Sequence, residues 1–130
     1  EFALIGNDDT ASNLWGSNWR MPTEEEFRAL VNAENCTCTW TAQNGVNGLL
    51  CTGKEGTAFA SNSVFFPAAG YCRFTGTGCE VGYQGSHGYY WSSTPVGSEF
   101  AYYLNFFSGV KLVINSTRLS AYSVRAVLAE

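Results

Sequence analysis

Charge is what this chain has least of. Charged residues are 14% of the 130, well below the roughly 25% usual for soluble domains. The 7 Lys and Arg stand against 11 Asp and Glu, for a net charge of -4. No basic cluster occurs, so the electrostatic footprint for phosphate backbones is missing and nucleic acid is excluded as a partner. No run of about 18 apolar residues exists, which excludes a membrane-inserted helix. No signal peptide is visible, and Glu1 is expected to begin a mature or excised segment of a longer protein. His87 is the only histidine, and no cysteine follows Cys79. Metal and thiol chemistry are left with almost no ligands in the C-terminal half.

What is present is apolar and aromatic. Hydrophobic residues make up 45% and aromatics 15%, with 4 Trp, 7 Tyr and 9 Phe. A chain of this length fits one domain, residues 1–130, and can bury roughly two-thirds of its unfolded surface. Five cysteines, Cys36, Cys38, Cys51, Cys72 and Cys79, crowd the middle of the chain. The odd number leaves at least one unpaired. Cys72 and Cys79 bracket a Gly/Thr-rich turn and are candidates for a small disulfide loop. Cys36 or Cys38 with Cys51 is the weaker second candidate, and free buried thiols are the alternative. Cys36-x-Cys38 is too tight for a zinc pair.

Two helices are expected first. Asp8-Asp9-Thr10 caps one, with Ala11, Leu14 and Trp15 as its apolar side and Gly16 as its stop. Thr23-Glu-Glu-Glu26 is a capping box. Phe27, Leu30 and Val31 follow at i, i+3 and i+4, one buried stripe. Short strands then replace the helical pattern. Residues 39–43 and 48–52 flank Asn44-Gly45, a hairpin signal. Residues 63–67 form an apolar run, and 88–93 are aromatic. Residues 101–107 and 110–115 are separated by Ser108-Gly109, and 123–128 alternate. Helices first and strands after give an α+β pattern. Trp19, Trp40 and Trp91 read as core, and His87 as a solvated loop residue.

Four segments carry a resemblance: Trp15-Gly-Ser-Asn-Trp-Arg-Met-Pro-Thr-Glu-Glu-Glu-Phe27, Cys38-Thr-Trp-Thr-Ala-Gln-Asn-Gly45 and Phe65-Phe-Pro-Ala-Ala-Gly-Tyr71, then Gly88-Tyr-Tyr-Trp-Ser-Ser-Thr94 with Ala101-Tyr-Tyr-Leu104 and Ser123-Val-Arg-Ala-Val127. In this order the chain resembles the major paralogous domain of Bacteroidetes surface proteins, within the C-type-lectin-like, formylglycine-generating-enzyme-like group. The resemblance implies a C-type-lectin-like fold, with two helices packed on a twisted, mostly antiparallel sheet. It also implies an extracellular, cell-surface or phage-particle location. A narrower resemblance is to the variable proteins of diversity-generating retroelements. In those, residues near the C-terminus vary at template asparagine codons. In the interval 105–122, most of Phe107, Val110, Val113, Thr117, Leu119 and Ser120 fit such codons, whereas Lys111 does not fit easily.

Catalysis is not expected. Formylglycine-generating enzymes need a late redox-active cysteine pair, which this chain lacks. Iron-dependent relatives need several histidines, and a Ser-His-Asp triad would have only His87. Calcium-dependent lectins of the group use Glu-Pro-Asn or Gln-Pro-Asp loops and a Trp-Asn-Asp strand, and the chain has neither. Its scattered acids also suit a cation wanting about six to eight oxygens poorly. No cofactor and no metal are therefore expected. The expectation is a non-catalytic module that binds a protein or surface-glycan ligand; an adhesive or structural surface domain is the alternative.

Tyr and Phe give contact area at low entropic cost, and Ser, Asn and Thr give adaptable hydrogen bonds. The expected contacts are Tyr103, Asn105, Phe107, Ser108, Val110 and Val113, continuing through Asn115, Thr117, Leu119, Ser120 and Tyr122. Alternation makes Leu104 and Phe106 core and turns Tyr103, Asn105 and Phe107 outward. The large side chains among these contacts are expected to be partly exposed on one face.

Overall fold

The computed structural model describes residues 2–130. The first helical segment opens with a 3-10 turn, Gly6–Asp8, and continues as α1, Thr10–Trp15. Asp9 caps α1: its side chain accepts from the Ser12 N–H at 3.0 Å and from the Met21 N–H at 2.8 Å. That carboxylate is fully buried, so one side chain ties the helix to the segment after it. A two-residue strand follows, β1 (Trp19–Arg20), and then α2 (Glu24–Val31). The capping box of α2 forms as the sequence dictates, with Glu26 accepting from the Thr23 N–H and Thr23 accepting from the Glu26 N–H. Arg20 donates twice to the Glu26 carboxylate, at 2.8 and 2.6 Å, which holds that carboxyl below its ordinary pKa.

The remainder is strand: β2 (Cys36–Gln43), β3 (Val46–Gly53), β4 (Ser63–Pro67), β5 (Tyr71–Thr75), β6 (Gly78–Gly82), β7 (His87–Val96), β8 (Phe100–Phe107), β9 (Val110–Thr117) and β10 (Val127–Leu128). Pairing is antiparallel within four sheets, β2-β3-β4, β5-β6, β7-β8-β9 and β1-β10. Asn44 and Gly45 have φ of 49° and 79°, the doubly positive pair that a two-residue turn between twisted strands demands.

The expected α+β, C-type-lectin-like arrangement of two helices packed on one twisted sheet is corrected by this architecture. Half of the chain is strand and 13% is helical, and the strands divide among several small sheets. Helix α1 is too short to build an apolar face. Ala11 is buried, but Leu14 and Trp15 are 67% and 54% exposed, and the helix packs chiefly on the 3-10 turn and β1. Only α2 reaches the main core, through buried Phe27, with Leu30 and Val31 half-buried against it. The expected strand at 123–128 shrinks to β10, because Ser123 instead bridges β7 at Tyr90.

The core lies between β2-β3-β4 and β7-β8-β9, closed by α2. It gathers Phe27, Leu49, Phe66, Tyr90, Leu104, Phe106 and Val113. Phe66 meets Tyr90 edge-on at 5.2 Å and Phe106 at 6.4 Å; Tyr90 stacks on Phe106 at 6.0 Å. Such pairs add about 0.5–1.5 kcal/mol each beyond area burial. Gly88 faces Phe106 across the β7-β8 pair, and a Cβ there would enter the Phe106 ring. Of the tryptophans read as core, Trp40 lies half-buried against Phe106, Trp91 is half-buried, and Trp19 is 39% exposed opposite Leu128.

Cys38 is bonded to Cys51, its direct cross-strand partner, with Cα atoms 4.0 Å apart. Cys72 is bonded to Cys79 with Cα atoms 5.7 Å apart, and Cys36 is free. No helix among the described residues is long and apolar enough to cross a membrane.

Candidate functional site

Strand alternation puts Leu104 and Phe106 on the core face of β8, where both are fully buried. The opposite face of the same sheet carries His87, Tyr89 and Trp91 from β7, paired in register with Phe107, Asn105 and Tyr103 from β8. These side chains form a continuous aromatic layer. His87 lies 4.7 Å from Phe107, Tyr89 stacks on Tyr103 at 6.1 Å, and Trp91 meets Tyr103 edge-on at 5.7 Å.

A second layer covers part of the first. Tyr122 sits 4.5 Å from Trp91, 4.7 Å from Tyr103 and 5.0 Å from Tyr89. Tyr71, from β5, lies 5.3 Å from Tyr89 and stacks on Tyr83 at 5.9 Å. Backbone bonds hold this layer in place. Cys72 N–H donates to Ala121 O, Ser123 N–H to Tyr89 O, and Trp91 N–H to Ser123 O, at 2.9–3.0 Å. The indole N–H of Trp91 donates to Ser120 O at 3.2 Å. Residues 120–123 are thus clamped between the β5-β6 hairpin and β7. Burial raises the Tyr103 phenol well above its ordinary range, helped by Tyr122 beside it; burial raises Tyr89 in the same direction.

Where hairpin and clamped segment meet, a groove of about 690 Å³ opens, lined by Tyr71, Cys72, Arg73, Phe74, Arg118, Leu119 and Ser120. Its apolar walls are the most solvent-facing large side chains of this region: Phe74 is 69% exposed and Leu119 84%. Arg73 pairs with Glu80 at 2.8 Å. Arg118 instead donates to Phe100 O and Gly97 O, each at 3.0 Å, and makes no ion pair among the described residues. The groove is therefore an apolar slot with an arginine held at its rim by neutral carbonyls.

The expected contact residues divide in space. Leu119 and Ser120 line the groove. Tyr122 is half-buried behind it, as are Phe107 and Val110 farther along the sheet. Ser108, Asn115 and Thr117 are exposed, with Ser108 in the β8-β9 turn. Three expectations of exposure on one face are corrected. Tyr103 is 7% exposed, because Tyr122 covers it. Asn105 is 7% exposed, its amide donating to Gly88 O at 3.0 Å, so a buried carbonyl takes the hydrogen bond offered to a ligand. Val113 is 8% exposed and belongs to the core; β9 turns 111, 113, 115 and 117 away from the aromatic face. Leu112 and Ile114, which were not singled out, occupy that face instead, 42% and 38% exposed.

His87 is also corrected. It begins β7, half-buried between Tyr83 at 4.6 Å and Phe107, with Ser86 Oγ 3.0 Å from Nδ1. The sequence reading missed Tyr71, Phe74, Tyr83 and Tyr89. The alternation of 87, 89 and 91 was the available signal for Tyr89. Among the described residues no group of three or more His, Cys, Asp or Glu is placed to hold a metal ion.

Residues 40–127 match the model of a family described as a domain of unknown function (DUF8237). No curated protein and no solved structure matches the chain.

Proposed function

Because the chain belongs to that family, whose description assigns no activity, we propose its role from the groove itself: a non-catalytic binding module for a protein ligand. The carrying observation is that Phe74 and Leu119 stand exposed on walls that are otherwise fixed. The disulfide across β5-β6 and the clamped backbone of 120–123 hold those walls. Exposed apolar side chains gathered on a preorganised rim are characteristic of interaction sites. The slot suits a large apolar ligand side chain, and Arg118 suits an acidic neighbour on the same ligand. A protein ligand is favoured over a surface glycan because the groove walls are largely apolar, whereas sugar hydroxyls need several directed polar partners. The resemblance to retroelement-diversified proteins supports the same location, since Leu119 and Ser120 lie in the interval that varies there.

Selection of a displayed random-peptide library on the purified domain tests this reading, with a glycan array as the second arm. The expected result is enrichment of peptides pairing a bulky apolar residue with an acid. Their binding should fall at least about tenfold in Leu119→Asp and Phe74→Ala, with unchanged melting temperature. Absence of enrichment, or glycan binding indifferent to both substitutions, overturns it.

A further inference from the structure

Strand β9 is an edge: among the described residues it pairs with β8 on one side and with no strand on the other. The two-residue turn makes Phe107 and Val110 the closing hydrogen-bonded pair of the β8-β9 hairpin. In an antiparallel ladder the bonded positions alternate, so Val110, Leu112 and Ile114 bond to β8. The N–H and C=O groups of Lys111, Val113 and Asn115 then point away from the sheet. None of these six groups has another partner among the described residues.

Natural edges are usually blunted by proline, bulges, several charges or shortness. Strand β9 has eight residues, no proline or glycine, a single charge at Lys111 and an unbroken register with β8. On its outer face Leu112 and Ile114 are partly exposed. Its sequence is also self-complementary in one register. Antiparallel pairing with a second β9, centred on Val113, sets Leu112 opposite Ile114 and Lys111 opposite Asn115. Centring on Lys111 would oppose two like charges, and centring on Asn115 would set Leu112 against Arg118. In the Val113 register the outward groups of 111, 113 and 115 face one another and can close six backbone hydrogen bonds.

We infer that β9 is a self-association edge, which joins two copies of this chain antiparallel about Val113 into one six-stranded sheet. This inference does not depend on the groove: it uses different residues and a different partner.

Sedimentation velocity on the purified chain, from micromolar to near-millimolar concentration, tests it. The expected result is reversible conversion to a species of twice the 14.1 kDa chain mass. Ile114→Lys should abolish the larger species while leaving the melting temperature of the dilute protein unchanged. Asn115→Glu should tighten association by about tenfold, since each copy gains a cross-strand pair with Lys111 of the other. Lys111→Glu combined with Asn115→Glu should weaken it, two like-charge pairs replacing two favourable ones. A chain monomeric at every concentration overturns the inference, and so does a dimer indifferent to Ile114→Lys and Asn115→Glu.

Discussion

The indole N–H of Trp91 donates to the carbonyl of Ser120 at 3.2 Å, joining residues 29 positions apart. This bond fixes the segment that carries Leu119. Trp91→Phe keeps an aromatic ring against Tyr122 but removes the donor. A stability loss of about 1 kcal/mol is expected, read from the urea midpoint. Faster amide exchange at Ser120 and Ala121 should accompany it.

Gly88 is the position where a single methyl group should do most damage. The Phe106 ring lies over its backbone, and Phe106 is itself fully buried among Phe66, Tyr90 and Trp40. Gly88→Ala should destabilise by about 3 kcal/mol, measured by denaturant unfolding. The double variant Gly88→Ala with Phe106→Leu should recover part of that loss.

Alkaline pH should destabilise the fold. Burial pushes the Tyr90 phenol up to about 12 from its ordinary 10.0, and raises Tyr103 and Tyr89 as well. The folded state therefore keeps protons that the unfolded chain releases. The contribution is fully present below pH 10 and is lost as pH rises from 10 towards 12. Tyr90 also donates to Pro67 O at 2.8 Å, a bond its ionised form cannot make. Absorbance at 295 nm should show a class of tyrosines ionising late, with the rise coinciding with loss of near-ultraviolet circular dichroism.

Cys72 and Cys79 are 7 residues apart and cross-link a sheet that has only two strands among the described residues. Such a hairpin has little independent stability. Replacing both cysteines by serine should cost about 2 kcal/mol. Amide exchange should accelerate across β5-β6 and leave β7-β8 protected.

Local chemistry explains which parts of this fold could be read in the sequence. Thr23 and Glu26, and Asn44-Gly45, specify their structures through contacts within a few residues, and both structures form there. Alternation likewise identified Leu104 and Phe106 as core. Val113 was misjudged because a codon pattern carries no information about strand parity; parity groups Val110 with Leu112 and Ile114. The turn that Cys72 and Cys79 bracket was legible, but the strands β5 and β6 on either side of it were not, because Arg73, Phe74 and every residue of β6 but Gly82 are exposed and no buried alternation marks them. Splitting into small sheets could not be read either, since Cys72 and Ser123 find their bridge partners, Ala121 and Tyr90, across long stretches of chain. The groove inherits that difficulty, being made where two such distant segments meet.

The pairing of β1 with β10 bears on how the chain is made. Trp19 must wait for Leu128, and Arg20 for Val127. Between them the C-terminal stretch also supplies the partners of Tyr89 and Trp91. Contacts of such long sequence separation form slowly. A nascent chain leaving the ribosome can close the β2-β3 and β7-β8-β9 units by itself, but the aromatic face of β7-β8 stays uncovered until residues 120–123 emerge. Over that interval Tyr89, Trp91 and Tyr103 are open to solvent together. Synthesis of this domain therefore includes a period of exposed aromatic surface that only residues 120–123 can close.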